Sequence, residues 1–461
     1  MRTKLKFIDL FAGLGGIRLG FEQACQDREI ETECVLTSEI KPYAIQTLKH
    51  NHKHENFVGD IFQVKNEAIP PFDFLFGGFP CQPFSASGKR NGFADTRGTL
   101  FFEIERIIKY HQPKGFILEN VEGLVKHDLE NKNDEIGRTL KTILDKLENE
   151  LDYQVSWKIL DSVQFGVPQS RKRVFIVGTK HEKVSLDHFE VTFRILDDVL
   201  EKGKPIMNTD FTKKLLSHFT VEELYGKSIK DKRGGENNIH SWDIGIKGEC
   251  TKDQINLLNR LFKERRKKQW AGEIGIDWMD GMPLTLSQIQ SFFPVNNLFE
   301  SINVKELLDD LVEKGYIKFE HPKKLISENT ENGVITSRVY DETKPKGYNI
   351  VTGKLSFEVN KILNPYEIAP TLVATDMVKI VVPDGKGIRK LTIREGLRIF
   401  GYPENYEIPV KESLAFDLLG NTVVVPVIKA VSERILDVLE IPKYEVYENE
   451  KIGIEASLVI A

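Results

Sequence analysis

The stretch Leu5-Lys-Phe-Ile-Asp-Leu-Phe-Ala-Gly-Leu-Gly-Gly16 decides the fold. It begins as an apolar run typical of a buried strand, continues into glycines, and is followed by helically spaced Ile17, Leu19, Phe21 and Ala24. This order predicts a strand, a glycine turn and a helix. Glycines let a ligand approach the backbone, and the free N–H groups of a helix start favour a negative group. A plain tight turn is equally consistent, because the spacing is not GxGxxG.

The same alternation of strand and helix continues along the first 180 residues. Further strands are predicted at residues 34–37, 56–61, 72–76, 115–118, 153–160 and 174–177, with helical spacing at 100–108 and 135–151. This pattern predicts an α/β fold with a doubly wound, mostly parallel sheet covered by helices. Ligands bind such sheets at the carboxyl ends of the strands.

The composition is that of an ordinary globular protein. The chain has 461 residues, of which 40% are hydrophobic and 29% charged, with a net charge of −5. That length predicts two or three domains. The absence of an apolar run of about 18 residues and of a signal peptide leads us to expect a cytoplasmic protein that does not enter a membrane. This net charge argues against a nucleic-acid-binding surface that is basic throughout, but it permits a local basic face.

The chain has four cysteines, and they form no CxxC motif or Cys/His cluster of the kind that binds metal. Cys25, Cys34 and Cys250 lie in unremarkable sequence and are expected to be small buried hydrophobes, so neither a disulfide framework nor a metal site is predicted. Cys81 is different, because it follows a predicted strand within Gly77-Gly-Phe-Pro-Cys-Gln-Pro-Phe-Ser85. A buried role is the usual one for a cysteine, but this position at a strand's carboxyl end also suits a reactive group.

Six segments in order carry a resemblance to a known family. They are Asp9–Gly16, Gly78-Phe-Pro-Cys-Gln-Pro-Phe-Ser85, Glu119-Asn-Val121, Gln169-Ser-Arg-Lys-Arg173, Arg389–Pro403 and Gly420-Asn-Thr-Val-Val424. Together they closely resemble the DNA cytosine-5 methyltransferases of bacterial restriction-modification systems. The resemblance implies a Rossmann-like class I methyltransferase fold that uses S-adenosylmethionine.

The resemblance also implies a chemical role for four residues. Cys81 matches the nucleophile that adds to C6 of cytosine. Glu119 matches the glutamate beside ring N3, where a protonated carboxyl group is needed. Arg171 and Arg173 match the two arginines that bind the carbonyl oxygen of the base and hold Glu119 in place.

Ten residues are implied to surround the methyl donor, with Glu39 at the ribose and Asp60 and Ile61 at the adenine. The remaining seven are Phe11, Gly13, Leu14, Gly15, Pro80, Leu100 and Asn421. The placement of Asn421 requires the far end of the chain to fold back onto the first domain. The apolar helical pattern at residues 423–439 predicts the element that docks there.

Duplex DNA is the implied partner, with the cytosine flipped out of the stack. Residues 82–97 are predicted to form a loop that closes over DNA, with Gln82, Ser85 and Arg97 as candidate contacts. Thr371 and Leu372 resemble the family's threonine-leucine signature near the end of its recognition region.

A catalytic domain is therefore predicted at residues 1–180 plus 389–461, with a smaller target-recognition domain at 181–388. Three capping-box patterns, beginning at Thr220, Thr251 and Thr285, predict helices in the recognition domain. Residues 251–320 fit either a winged-helix-like insertion or a helical buttress. The basic run at 263–268 fits either phosphate contacts or a solvated helix face.

These patterns predict a monomeric, site-specific DNA cytosine-5 methyltransferase that works with a restriction endonuclease. Two alternatives stay open on the sequence. One is a tRNA cytosine-5 methyltransferase with the same motifs, and the other is a DNA-binding homologue that has lost catalysis.

Overall fold

The structure is a computed structural model. It describes residues 4–53, 56–79, 100–131, 133–231, 237–293, 303–330, 333–352 and 357–440. Side chains at 328–330 and 333–335 are outside this description.

The first 180 residues alternate strand and helix as predicted. Their elements are β1 Lys4–Leu10, α1 Gly16–Gln26, β2 Glu31–Ser38, α2 Pro42–Asn51, β3 Phe57–Val58, β4 Phe74–Gly78, α3 Leu100–His111, β5 Gly115–Val121, α4 Arg138–Asp145, β6 Gln154–Asp161 and β7 Lys172–Thr179. The third predicted strand is only two residues long, because Asp60 accepts a hydrogen bond from the Phe62 N–H and starts a 3-10 turn at Ile61. The predicted helix at 135–151 ends as a π-helical turn, Lys146–Glu150.

The seven strands form one sheet in the order β3-β2-β1-β4-β5-β7-β6. The pairings among β1 to β5 are parallel, and β7 runs antiparallel to both β5 and β6. The mostly parallel α/β sheet is therefore confirmed. Because β1, β2, β4 and β5 are parallel, the loops that follow them meet at one edge of the sheet.

Between residues 201 and 391 the elements are shorter. They are α5 Asp210–His218, β8 Ser228–Ile229, β9 Asn238–Ile239, α6 Lys252–Glu264, α7 Lys268–Glu273, α8 Leu286–Phe292, α9 Val304–Glu313, β10 Ile317–Glu320, β11 Lys323–Thr330, β12 Gly333–Tyr340, β13 Gly347–Ile350, β14 Lys361–Ile362, α10 Ala374–Met377, β15 Ile380–Asp384 and β16 Gly387–Lys390. The chain continues with α11 Ile393–Ile399, α12 Glu412–Gly420 and α13 Val425–Val438.

The chain divides into two compact units. The first unit holds residues 1–200, 368–377 and 392–461, and the second unit holds 201–367 and 378–391. These boundaries differ from the predicted ones, since the segment with Thr371 and Leu372 belongs to the first unit. The strands β15 and β16 belong to the second.

Two of the three capping boxes start α-helices. Thr251 and Thr285 cap α6 and α8, each exchanging hydrogen bonds with the glutamine three residues later. Thr220 exchanges the same bonds with Glu223, but only a 3-10 turn, Glu222–Leu224, follows. A capping box satisfies the first N–H groups of a helix and does not set its length.

The predicted insertion contains helices followed by a β-hairpin. After α8 and α9, the left-handed Gly315 turns the chain into β10, which pairs with β13, and β11 and β12 form a separate antiparallel ribbon. The basic run is largely used inside this unit. Arg265 is buried and donates to Asn349 and the Ile350 carbonyl, and Lys267 pairs with Glu264.

The far end of the chain docks on the first unit through α13. Pro426 lies in the first turn of this helix, where a missing N–H costs nothing, and Val427, Ile428, Val431 and Ile435 are buried. The contact with α1 is close, because a Cβ placed on Gly20 would lie 2.6 Å from the Ile428 Cβ.

In the part of the chain that the structure describes, no single helix is long and apolar enough to cross a bilayer. The bent pair α12 and α13 reaches that criterion by length and composition alone. Both helices bury most of their apolar side chains.

Candidate active site

A cavity of about 890 Å³ lies at the carboxyl edge of the sheet in the first unit. Its walls come from the ends of β1, β2, β4 and β5 and from two later segments, around residue 373 and residues 418–421. Such a volume is within the range of ligand-binding pockets. The strand alternation therefore brings several of the predicted site residues to one place.

One side of the cavity is built around Glu39. This side chain is 8% exposed, and its Oε2 accepts a hydrogen bond from the Gly13 N–H at 2.8 Å. Its Oε1 accepts from the N–H groups of Ile40 and Lys41, both at 2.8 Å. The carboxylate is thereby fixed before any ligand arrives.

The glycine turn opens this side of the cavity. Phe11 and Gly13 both line it, with φ of 58° and 55°. A positive φ is unusual for phenylalanine and is a form of backbone strain found at functional sites. A Cβ on Gly13 would meet nothing within 4 Å, so the turn leaves open space beside the Glu39 carboxylate.

Leu14 and Gly15, which the resemblance also implies for the donor site, do not line the cavity. Leu14 is fully buried, and its carbonyl accepts a hydrogen bond from the Tyr406 hydroxyl at 2.6 Å. Gly15 has a φ of 65° and precedes α1. Leu14 and Gly15 therefore shape the turn, whereas Phe11 and Gly13 line the cavity.

The predicted residues Asp60, Ile61, Leu100 and Asn421 also line the cavity. Sequence reasoning missed Ile40 and Phe62, which are 70% and 39% exposed there. Ile40 directly follows Glu39, and Phe62 lies two positions after Asp60. A large apolar side chain close to a predicted acid was the sequence signal that could have identified them. Together they add apolar surface beside Glu39 and Asp60.

The opposite side of the cavity contains Glu119 and Arg173. The Arg173 Nε lies 3.0 Å from Glu119 Oε1, and the two side chains are 15% and 11% exposed. Burial raises the pKa of Glu119, and the positive charges of Arg173 and Arg171 oppose part of that rise. A buried carboxyl group with a raised pKa suits proton donation near neutral pH.

Arg171 has different contacts from Arg173. Its guanidinium donates to the carbonyls of Leu372 at 2.9 Å, Gly420 at 3.2 Å and Thr422 at 2.9 Å, and it lies over the Phe400 ring. It is 4% exposed. Arg171 thus joins two distant segments to β7, whereas Arg173 holds Glu119.

Pro80, Cys81, Gln82, Ser85 and Arg97 lie outside the described residues, as does most of the predicted DNA-closing loop. The strand that leads to Cys81 is described. Gly78 pairs with Glu119 across β4 and β5, and the Asn120 side-chain amide donates to the Phe79 carbonyl at 2.8 Å. The chain therefore leaves β4 beside Glu119. Asn120 holds the backbone at Phe79, a role that its presence in the Glu119–Val121 motif did not reveal.

Thr371 and Leu372 make contacts inside the first unit. The Thr371 hydroxyl donates to the Ser170 carbonyl at 2.8 Å, and the Leu372 N–H donates to Gln169 Oε1 at 3.0 Å. Leu372 is fully buried. The Leu372 side chain is thus enclosed by protein, and a contact of Thr371 or Leu372 with DNA stays a prediction from the family resemblance.

Three cysteines match the expectation of buried hydrophobes. Cys25 and Cys34 are buried and Cys250 is half-buried. Burial raises the pKa of Cys25 and Cys34 to about 12 and that of Cys250 to about 11, so none is a ready thiolate at neutral pH. Among the described residues, no group of three or more His, Cys, Asp or Glu could hold a metal ion.

Comparison with known sequences matches this site to one family. The model of C-5 cytosine-specific DNA methylases covers residues 5–437. The chain is 54% identical over 436 residues to the Type II methyltransferase M.NlaIV of Neisseria lactamica, covering 95% of this chain and 100% of that protein. It is 44% identical over 453 residues to M.HgiCI of Herpetosiphon aurantiacus, covering 93% and 96%.

Solved structures agree on the fold. A putative DNA modification methyltransferase encoded within an E. coli prophage superposes with a TM-score of 0.51 at 20% identity, covering 95% of this chain and 99% of that one. The S. pombe Dnmt2 methyltransferase superposes with a TM-score of 0.50 at 15% identity, covering 94% and 99%. With this fold, this site and these relatives, the chain belongs to the family of C-5 cytosine-specific DNA methylases and is a DNA cytosine methyltransferase.

Proposed function

We propose that the protein methylates C5 of a cytosine within a specific duplex DNA sequence, with Cys81 as nucleophile and S-adenosylmethionine as donor. The observation that carries this proposal is the arrangement of the cavity. The fixed acid Glu39 and the Arg173–Glu119 pair both line it, and β4 ends at Gly78 beside Glu119, three positions before Cys81 in the sequence.

The donor side of the cavity has the chemistry that S-adenosylmethionine requires. The carboxylates of Glu39 and Asp60 suit ribose hydroxyls and an adenine amine, and Ile40, Ile61 and Phe62 supply apolar surface for the adenine ring. When bound, the donor supplies an electrophilic methyl group on a sulfonium sulfur. The open space beside Gly13 fits a ligand that approaches the backbone closely.

On the base side, the Cys81 thiolate forms a bond to C6 of the flipped cytosine, and the displaced electron pair makes C5 nucleophilic. Glu119 shares its proton with ring N3 as that charge develops. C5 bonds to the methyl carbon while the bond from that carbon to the sulfonium sulfur breaks, which leaves S-adenosylhomocysteine. A solvent base then takes the C5 proton, the electrons of that C–H bond form the C5–C6 double bond, and the C6–S bond breaks to release Cys81 as a thiolate. The N3 proton returns to Glu119. Arg173 keeps the Glu119 carboxyl group in position.

Arg171 is proposed to act on the cavity wall rather than on the base. Its three carbonyl acceptors lie in residues 372–422, and the same segments provide Val373, Gly420 and Asn421 to the cavity. This differs from the role that the family resemblance implied.

The second unit is proposed to recognise the target sequence. Its β11–β12 ribbon pairs with no other described strand, and its exposed side chains include Lys324, Ser327 and Arg338. Successive exposed residues on a strand lie on opposite faces, so both faces of the ribbon are open. A two-stranded ribbon with basic and hydroxyl side chains fits the major groove of duplex DNA.

Two of the relatives are named Type II methyltransferases, and we propose that this protein likewise protects DNA from a restriction endonuclease. The test is to incubate the protein with labelled S-adenosylmethionine and either genomic DNA or tRNA, and to map the modified bases by sequencing. We expect 5-methylcytosine in DNA within one sequence context. Label on tRNA, on adenine or in unrelated contexts would contradict the proposal, and an absence of label would favour an inactive homologue.

A further inference from the structure

A carboxylate outside the six matched segments joins two of the segments that line the donor cavity. Asp417, in α12, accepts a hydrogen bond on Oδ2 from the Lys41 Nζ at 2.7 Å and from the Tyr43 hydroxyl at 2.8 Å. Lys41 follows Glu39 at the end of β2. One side chain therefore joins the segment after β2 to the last turn of α12.

Both ends of this bridge belong to walls of the cavity. Residues 38–41 line it, and so do Leu418, Gly420 and Asn421. The Asn421 side-chain amide donates to the Asp417 carbonyl at 2.8 Å and to its Oδ1 at 3.2 Å. Asp417 thus fixes Lys41 and Asn421 together.

The Lys41 contact extends to the ligand-facing acid. The Lys41 N–H donates to Glu39 Oε1, while its ammonium group reaches Asp417. A change in the position of Lys41 is therefore transmitted to the Glu39 carboxylate through one residue of backbone.

The pair is ionised at neutral pH. Burial alone would raise the pKa of Asp417, but the hydrogen bonds from Lys41 and Tyr43 hold that pKa below its ordinary value. The side chains of Lys41 and Asp417 are 38% and 35% exposed, so dissolved salt can screen their attraction.

We propose that Asp417 is a positioning residue for the methyl donor, holding together the neighbouring segments at Glu39 and Asn421 that line the donor cavity, and slowing donor release. This inference rests on the proposed function, because it takes the cavity to be the S-adenosylmethionine site. It assigns a part in donor affinity to Asp417, a residue of α12 that lies outside the six matched segments.

The test compares Asp417→Asn with the wild-type protein in binding S-adenosylhomocysteine without DNA. The amide keeps the shape but loses the charge. We expect the dissociation constant to rise about fivefold to tenfold, because the variant loses a hydrogen-bonded charge pair at a partly exposed position. The dissociation rate measured by stopped flow should rise, and the KM for S-adenosylmethionine should rise more than kcat falls.

Salt provides a readout that a general loss of stability would not give. Wild-type affinity for S-adenosylhomocysteine should weaken as salt rises, and Asp417→Asn should show a flatter dependence. Lys41→Met should behave like Asp417→Asn, and the double variant should be no worse than either single variant, because both remove the same interaction.

The matched control is Asp27→Asn, which removes a comparable surface pair with Lys429 at 2.6 Å, away from the cavity. It should leave donor binding unchanged. An unchanged dissociation constant in Asp417→Asn, or an equal loss in Asp27→Asn, would overturn the inference. Failure of the wild-type protein to bind S-adenosylhomocysteine would instead contradict the proposed function.

Discussion

At the scale of single residues, neighbouring arginines of one signature separate into two roles. Arg173 pairs with Glu119 at 3.0 Å, whereas Arg171 is enclosed by three backbone carbonyls. Alternation along a strand predicts that Arg171 and Arg173 share a face, but it does not predict which groups each guanidinium contacts. The contacts of Arg171 come from residues about 200 and 250 positions later in the chain.

The role of Cys81 gives the first prediction. Cys81→Ala should lower methyl transfer by about a thousandfold or more, because no other group can add to C6, while DNA binding is retained. A duplex with 5-fluorocytosine at the target should trap the wild-type protein covalently, as seen on denaturing gels. Cys250→Ala is the control and should remain active. An active Cys81→Ala variant would remove Cys81 from its proposed role.

Asp9 gives a prediction on pH. Burial raises the pKa of Asp9 to about 7; the charge of Arg18 opposes this rise, and the charges of Glu22 and Glu39 add to it. Between about pH 4 and pH 7 the folded state keeps a proton that the unfolded chain releases, so this residue's contribution to stability falls as pH rises. Above about pH 7 both states are ionised and the penalty is constant.

Asp9→Asn should therefore stabilise the protein more at pH 8 than at pH 5, measured as the urea midpoint. Asparagine has the same shape and carries no charge, so the comparison isolates ionisation. An identical shift of the midpoint at both pH values would show that Asp9 is ionised in the folded state throughout this range.

At the scale of elements, strand ends and helix contacts were predictable to different degrees. The carboxyl ends of β1, β2, β4 and β5 could be predicted to lie together, because parallel strands share a direction. The docking of α13 on the first domain was predicted from its apolar face, but the close contact with α1 was not. Only the structure reveals that Gly20 is the residue that permits it.

Gly20→Ala should destabilise the protein by about 1–3 kcal/mol, because the added Cβ would lie 2.6 Å from the Ile428 Cβ and 2.9 Å from the Lys429 backbone N. The intrinsic helix preference of alanine acts in the opposite direction. Denaturant unfolding measures the net effect. Gly123→Ala is the control, since nothing lies within 4 Å of its added Cβ. Equal stability of the two variants would contradict close α1–α13 packing.

At the scale of the whole molecule, the two compact units have separate proposed tasks. The cavity belongs to the first unit, and the β11–β12 ribbon belongs to the second. Donor binding and DNA affinity should therefore respond to different substitutions.

Arg338→Ala in the ribbon should weaken DNA binding several-fold and reduce the slope of log Kd against log salt by about one, as expected for one lost phosphate contact. Binding of S-adenosylhomocysteine should not change. Lys305→Ala on α9 is the control, because that lysine is exposed but pairs with Asp309. An unaltered DNA affinity in Arg338→Ala would exclude Arg338 from the DNA interface.

The sequence by itself determined the α/β class, the mostly parallel sheet, and the edge where Glu39, Asp60 and Glu119 meet. Those features depend on local periodicity and on the shared direction of parallel strands, which a linear pattern contains. The tertiary structure alone decided that Leu372 is buried, that Arg171 joins two later segments, and that Asp417 joins α12 to Lys41. Each depends on contacts between residues about 200 to 380 positions apart, which no local pattern specifies.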